Sequence, residues 1–262
     1  TPLLYYLVER FQMMLILVLG HILVLSKPMN SLIEKLTNLV SNTSNAVLLV
    51  SATTLIVSFF NWGLGLIFGA ILARKVAEAS QTRNFNINYP LVGASGYVGL
   101  MIWHGGISGS APLKVSESGH IASLMAGISN SELRAQLPDL IPFSETIFSS
   151  FNLILFGVLL VVIPLFLYRI GKKAPITKVS LPIYKGVVSR ETSLKGAERI
   201  DHSNIIGIGF GLIILLTFFY QYYDALLKLV ITPNMLNFFM LGLALVLHGN
   251  FKSFLNAVEE AI

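Results

Sequence analysis

The sequence has no cysteine and little charge: of its 262 residues, 12% are charged and 54% are apolar. Without cysteine, the chain can form neither a disulfide framework nor a thiolate metal site. Soluble domains carry about 25% charged residues, so the low charged fraction indicates a protein that lies in a membrane. The long apolar runs contain no Asp or Glu, which a cationic substrate would need, and this favours an anionic or neutral ligand.

The net charge is +5, and the basic residues that produce it lie between the apolar runs. They do not form a stripe of alternating basic and aromatic residues. This distribution indicates a membrane topology with contact to lipid and argues against nucleic acid as a partner. Basic residues are concentrated in segment 169–204, which we expect to be a cytoplasmic loop, whereas the more acidic segment 114–145 is expected outside. The chain starts without an initiator Met and without a signal peptide, so we expect it to be a fragment.

The apolar runs predict an all-α integral membrane protein, because a crossing helix needs about 20 apolar residues. We predict about six crossings or crossing equivalents, over residues 11–26, 46–73, 89–113, 151–168, 205–223 and 231–248. The second is too long for one untilted crossing and predicts a broken or strongly tilted element. The third is apolar only as far as Trp103, which predicts a half-helix over 91–103. Segments 28–45 and 121–128 have apolar residues at helical spacing and predict amphipathic helices, which lie either at the membrane interface or packed on neighbouring helices.

The predicted organisation has four parts. These are membrane helices that carry both interruptions described next (1–168), a basic cytoplasmic loop (169–204), a transmembrane helix pair (205–248) and a cytoplasmic amphipathic tail (249–262).

Two glycine-rich interruptions break the apolar runs, Asn-Trp-Gly-Leu-Gly at 61–65 and Trp-His-Gly-Gly-Ile-Ser-Gly-Ser-Ala-Pro at 103–112. Lipid offers no hydrogen-bond partners, so the backbone can be irregular at that depth only where it is buried in protein or lines a wet cavity. Paired glycine-interrupted segments are the best sequence indication of a transporter binding site. We therefore predict that the functional site lies at these two interruptions.

The motifs around the interruptions form a long ordered set: Gly20-His21 and the stretches 61–70, 73–74, 89–91, 105–113 and 147–152. Together they resemble the bacterial short-chain fatty acid transporter family, which includes the acetoacetate and butyrate permease type. The resemblance covers nearly the whole chain from about Tyr6. It implies a secondary carrier, a symporter for small monocarboxylates driven by H+ or Na+, with an inverted-repeat fold in the bacterial inner membrane. Whether the protein forms a homo-oligomer is left open.

The chain departs from that family in two respects. Family members are about twice as long, and their second half carries another glycine-rich motif, so the resemblance implies that this chain is the N-terminal half of the inverted repeat. The second departure is His104, where some members have Gly, so its role cannot be taken from the family.

A short fatty acid anion carries a carboxylate on a small apolar tail, and desolvating that carboxylate is costly unless donors replace its water. Free N–H groups at a helix start and serine hydroxyls are suitable donors. The predicted substrate-binding residues are Asn61, Trp62, Gly63, Gly65, His104, Gly105, Gly106, Ser108, Gly109 and Ser110. The predicted residues for proton or ion coupling are His21, His104 and Asn61.

Structural alternatives exist for several of these residues. Gly65, four residues before another glycine, is also suited to close helix packing. Trp62 and Trp103 are suited to a belt at the membrane interface. His21 is suited to a hydrogen bond between helices, and His104 to packing or gating.

Three other functions stay open on the sequence: a non-transporting scaffold or partner subunit, a channel, and a membrane serine hydrolase. The run 106–110 partly matches the G-x-S-x-G elbow, but Ser110 replaces the last glycine and the strand-to-helix context is missing. Channels generally need rings of filter groups, whereas two unlike breaks favour a carrier. We therefore predict a carrier that is not an enzyme, with no catalytic residue, cofactor or metal.

Overall fold

A computed structural model describes residues 2–177, 196 and 198–261, and all secondary structure in these residues is helical. The α-helices are α1 (Pro2–Val24), α2 (Lys27–Thr37), α3 (Thr43–Phe60), α4 (Trp62–Thr82), α5 (Tyr89–Ser95), α6 (Ser110–Val115), α7 (His120–Leu124), α8 (Ser131–Ala135), α9 (Ser150–Lys173), α10 (Glu198–Asp201), α11 (Asn204–Gln221), α12 (Tyr223–Leu227), α13 (Pro233–His248) and α14 (Phe251–Ala261). A 3-10 helix over Val98–Gly105 follows α5. Most of the predicted basic loop lies outside the described residues.

Three described helices are long and apolar enough to cross a membrane: α3, α9 and α11. Two bent pairs raise the number to five if each pair is one span, with α1 and α2 bent by 65° and α13 and α14 bent by 120°. The structure therefore agrees with the predicted all-α membrane protein. Six crossings and an inverted repeat stay predictions.

The predicted interruption within 46–73 coincides with the boundary between two helices, because α3 ends at Phe60 and α4 begins at Trp62. Whether 46–73 forms one broken crossing stays a prediction. The boundary consists of one residue, Asn61. Its backbone N–H donates to the Val57 carbonyl at 3.0 Å and completes α3, while its extended backbone (φ −150°, ψ 119°) turns the chain away. Its side-chain Oδ1 then accepts the Leu64 N–H at 2.7 Å and starts α4. An Asn at this position is worth about 1 kcal/mol to a helix start, because it satisfies an N–H that has no partner within the helix.

The prediction of one half-helix over 91–103 is wrong, because the structure has two short helices in this segment. The α-helix α5 ends at Ser95, and the chain continues as the 3-10 helix from Val98. Glycines explain the change, because a Cβ on Gly96 would lie 2.7 Å from the Gly69 carbonyl oxygen. This close approach packs the segment against α4, and repeated glycines lower its α-helical propensity.

Helices α3 and α1 are the centres of packing. Helix α3 contacts α4, α9 and the 3-10 helix, whereas α1 lies between α4 and α13. One buried apolar cluster joins the end of α3, before the first interruption, to the segments on either side of the second; its members are Ile16, Leu55, Phe59, Ile102, Leu113, Phe143 and Ile147. Helices α9 and α11 leave large apolar side chains exposed, such as Phe151 and Ile205, as helices that face lipid do.

The amphipathic segments form shorter helices than predicted. Within 28–45 the helix is α2, which buries Ile33, and within 121–128 it is the single turn of α7. The tail forms α14, which buries Ala257. Helix α9 extends to Lys173, five residues beyond the predicted end of the fourth span.

Candidate functional site

The two interruptions are in direct contact, and we call this contact the break junction (59–62 with 106–110). The Trp62 N–H donates to Ser108 Oγ at 2.8 Å, and the Ile107 N–H donates to the Phe59 carbonyl at 2.7 Å. Ser108 is completely buried. Each break therefore satisfies backbone groups of the other, which is how irregular backbone can persist where lipid offers no partners.

Glycines make the close approach at the junction possible. A Cβ on Gly106 would lie 2.7 Å from the Phe59 carbonyl oxygen, and a Cβ on Gly109 would lie 2.9 Å from the Trp103 carbonyl oxygen. Gly105 lies against Asn152 of α9, whose Nδ2 donates to the Gly105 carbonyl at 2.9 Å. These predicted substrate-binding glycines thus hold backbone segments together.

The glycines of α4 have the same role between helices. A Cβ on Gly63 would lie 2.9 Å from the Leu17 Cα of α1, and a Cβ on Gly65 would collide with Ser58 of α3. A Cβ on Gly69 would lie 2.8 Å from Thr54 Oγ1. The placement of Gly65 and Gly69 agrees with their alternative interpretation as helix-packing residues.

A cavity of about 560 Å³ lies beside the break junction, and we call it the cationic cavity. It is lined by Arg10, Met13, Met14, Leu17, Trp62, Trp103, Ser110 and Lys114. Two of these side chains are cations and none is an acid. Of the predicted site residues, Trp62 and Ser110 line this cavity.

The two cations of the cavity differ in their surroundings. Arg10 is exposed on α1. The Lys114 side chain is only 12% exposed, and its Nζ donates to Glu117 Oε2 at 3.0 Å and to Gln12 Oε1 at 3.1 Å. Lys114 is thus held in place by helix α1 and by the segment that follows α6.

Trp62 and Trp103 form an aromatic wall of the cationic cavity. Their ring centroids lie 4.8 Å apart at an interplanar angle of 32°. Both indole N–H groups are buried and have no hydrogen-bond partner among the described residues. Because an unpaired buried donor costs about 1–3 kcal/mol, a group that accepts from either indole would be stabilised here.

A second cavity, of about 490 Å³, lies on other residues of the same junction, and we call it the apolar cavity. It is lined by Leu23, Phe60, Asn61, Leu64, Ile107, Phe218, Phe219, Leu226, Ile231, Met235, Leu236, Phe239, Met240 and Leu243. The only polar side chain among them is Asn61, whose Nδ2 donates to Met240 Sδ at 3.2 Å. A thioether is a weak acceptor, so this amide N–H is poorly satisfied.

Neither predicted coupling histidine lines these two cavities. His104 is exposed, and its ring stacks on Trp103 with centroids 5.0 Å apart. His21 is half-buried on α1 next to Gly20, which contacts the start of α4. In the described part of the chain, no group of three or more His, Asp or Glu side chains could hold a metal ion.

Arg10 and Lys114 are the site residues that sequence reasoning missed. Lys114 belongs to the segment that the sequence predicts to lie outside the membrane, and Arg10 precedes the first predicted span. A signal was present for Lys114, because it follows Ser110 by four residues and residues at this spacing share a helix face. Arg10 lies about a hundred residues away in sequence, and only the packing of α1 brings it to the same cavity.

The fold and the site define a class: an all-helical membrane protein in which two broken segments meet beside a cationic cavity. Comparison with known proteins identifies the family. A family model described as "Short chain fatty acid transporter" matches residues 4–262, and the chain belongs to this family. The family name describes transporters and not enzymes.

Two relatives, from Escherichia coli K12 and Haemophilus influenzae Rd, carry the provisional name of short-chain fatty acid transporter. The chain is 30% identical to the first over 268 residues and 28% identical to the second over 261 residues. Each match covers 95% of this chain but only 54% and 55% of the relatives, so the chain spans about half their length. No solved structure matches the chain significantly.

Proposed function

We propose that this chain takes part in secondary transport of small monocarboxylates, such as acetoacetate or butyrate, across the cytoplasmic membrane of a bacterium. In this proposal the chain is one half of an inverted-repeat carrier, and the cationic cavity binds the substrate carboxylate. Family membership supports the transport of short-chain fatty acids. The observation that carries the assignment of the site is the meeting of Arg10, Lys114 and Ser110 in one cavity against the break junction.

The cavity has the two kinds of surface that a short fatty acid anion needs. Arg10 and Lys114 offer charged donors to the carboxylate, and hydrogen bonds to charged groups are worth about 1.5–3 kcal/mol. Ser110 adds a hydroxyl donor. Met13 and Leu17 offer an apolar surface to the tail, and methionine adapts to tails of different shape.

The tryptophan pair completes the proposed site. Among the described residues, the buried indole N–H groups of Trp62 and Trp103 have no hydrogen-bond partner, and both residues line the cavity. The ring faces contribute apolar surface as well. Asn61 and Ser108 act indirectly in this proposal, because Asn61 ends one helix and starts the next and Ser108 joins the two breaks.

Uptake of radiolabelled butyrate into proteoliposomes tests this proposal. Arg10→Gln and Lys114→Gln are each expected to weaken the apparent affinity for butyrate about tenfold or more, because each removes a charged donor worth about 1.5–3 kcal/mol. The matched control is Lys35→Gln, which removes an exposed cation of α2 that does not line the cavity. Thermal unfolding of each variant establishes that it is folded. Equal affinity in all three variants would refute the site.

The coupling ion, H+ or Na+, is part of the same proposal, with His21, His104 and Asn61 as the residues that could couple it. His104 stacks on Trp103, so a change in its charge would act on the wall of the cationic cavity. Uptake driven separately by a pH jump and by a sodium jump identifies the ion. If H+ drives uptake through His104, then His104→Gln abolishes the response to the pH jump and leaves butyrate binding intact.

A further inference from the structure

Glu117 forms an ion pair with Lys114, one of the two cations that line the cationic cavity. Its Oε2 lies 3.0 Å from Lys114 Nζ, and the two side chains are only 23% and 12% exposed. Glu117 does not itself line the cavity, whereas Lys114 does. The chain therefore carries its own carboxylate at the ammonium group that the proposed substrate would contact.

The position of Lys114 does not depend on Glu117 alone. Lys114 Nζ also donates to Gln12 Oε1 at 3.1 Å, and Gln12 Nε2 donates to Asn234 Oδ1 at 2.9 Å. The Gln12 backbone carbonyl accepts from Asn237 Nδ2 at 2.9 Å. Lys114 is thus anchored through α1 to α13, and removal of the Glu117 charge leaves these neutral contacts in place.

We propose that Glu117 is a built-in competitor that sets the affinity of the cationic cavity for carboxylate ligands. This inference rests on the proposed function, because it assumes that the cavity binds a carboxylate. A ligand anion and Glu117 share one ammonium group and repel each other, so binding requires Glu117 to move away or to tolerate a like charge. Because Glu117 follows Lys114 by only three residues in the chain, its carboxylate has a high effective concentration at the Lys114 ammonium.

A competitor of this kind gives a carrier weak and reversible binding. When the ligand leaves, Glu117 returns to Lys114 and restores the ion pair that the structure shows. The same pair lowers the affinity for the ligand because part of the charge of Lys114 is already neutralised. Glu117 is therefore a residue that tunes affinity and does not contact the substrate.

Removing the Glu117 charge tests the inference through butyrate binding in detergent. Both tryptophans of this chain line the cationic cavity, so intrinsic fluorescence reports binding there. We expect Glu117→Gln to bind butyrate about tenfold more tightly than the wild type, which corresponds to about 1.4 kcal/mol. The control is Glu132→Gln on α8, which removes an exposed carboxylate of the same segment and is expected to change nothing.

A double variant distinguishes competition from a structural role of the ion pair. If Glu117 acts by competing for Lys114, the gain in affinity from Glu117→Gln is much smaller in a protein that also carries Lys114→Gln, where only the direct repulsion between Glu117 and the ligand is removed. A purely structural pair would instead give a lower unfolding temperature and weaker binding in Glu117→Gln.

The outcomes separate the two proposals. A wild-type protein that binds butyrate, together with a Glu117→Gln variant of equal or lower affinity, overturns the competitor and leaves the proposed function intact. Absence of butyrate binding in both the wild type and Glu117→Gln overturns both. Binding in the variant that is tighter than in the wild type supports both.

Discussion

The cationic cavity and the apolar cavity are formed in part by the same structural elements, but the polar and charged side chains that line them differ. Both are lined by residues of α1, of α4 and of the break junction. The first contains Arg10, Lys114 and Ser110, whereas the second has Asn61 as its only polar side chain. The contrast shows that the glycine-rich breaks contribute to the walls of both cavities, whereas the two cations of the first cavity, Arg10 and Lys114, come from outside the breaks.

The largest expected effect comes from breaking the junction that both cavities share. In Gly106→Ala the new Cβ would lie 2.7 Å from the Phe59 carbonyl oxygen, so the two breaks must separate. We expect a loss of about 2–3 kcal/mol in the free energy of unfolding, at the upper end for overpacking because the obstacle is backbone. The matched control is Gly157→Ala on α9, where the Cβ meets nothing within 4 Å. Thermal unfolding in detergent measures both, and similar melting of the two variants would contradict the junction.

The next effect concerns the charge of the ligand. Butyramide has the shape of butyrate without its charge, so it loses the attraction between opposite charges and keeps one oxygen that can accept a hydrogen bond from Arg10 or Lys114. We expect it to bind to the cationic cavity at least about tenfold more weakly, because hydrogen bonds that a charged carboxylate accepts are worth about 1.5–3 kcal/mol. Tryptophan fluorescence titrations of both ligands measure the ratio. In a protein with both Arg10→Gln and Lys114→Gln the ratio should fall towards one, and an unchanged ratio would rule out these cations as the carboxylate donors.

Smaller effects are expected for Ser108 and Ser110, whose replacement should change different properties of the protein. Ser108 accepts the Trp62 N–H in the junction, whereas Ser110 lines the cationic cavity. Ser108→Ala is expected to lower the free energy of unfolding by about 1 kcal/mol, because it leaves a buried N–H unpaired. Ser110→Ala is expected to leave stability unchanged and to weaken butyrate binding severalfold. Melting curves and titrations of both variants would disprove this division if the two behaved alike.

The smallest expected effect is that of ionic strength. Arg10 is exposed, so added salt screens its attraction for an anion, while the partly buried Lys114 is screened less. Raising choline chloride from about 0.05 to 0.5 M at constant sodium should weaken butyrate binding a few-fold. In Arg10→Gln the dependence should be shallower. An equally steep dependence in that variant would mean that Arg10 does not face the bound anion.

The break at Asn61 could be predicted from the sequence because its cause is local. An Asn followed by two glycines inside a long apolar run carries both the side chain that starts a helix and the residues that allow close packing. The division of 91–103 could not be predicted, because it depends on the approach of Gly96 to Gly69 from another helix. Apolar periodicity contains no information about that contact.

The lining of the cationic cavity could be predicted only in part, for the same reason. The sequence placed Trp62 and Ser110 at the breaks, and both line the cationic cavity. It gave no indication that Arg10 would join them, because α1 reaches the cavity only through its packing between α4 and α13. It also could not show that Ser108, two residues before Ser110, is completely buried in the junction.

The single-residue break between α3 and α4 has a consequence for length variation in related sequences. Each residue of an α-helix turns the chain by about 100°, so an insertion or deletion at Asn61 would rotate Trp62 away from the cationic cavity and out of reach of Ser108. The segment 125–130 between α7 and α8 has no such constraint, since its residues are mostly exposed. Gaps in an alignment of this family should therefore be absent at the break and accumulate in that segment.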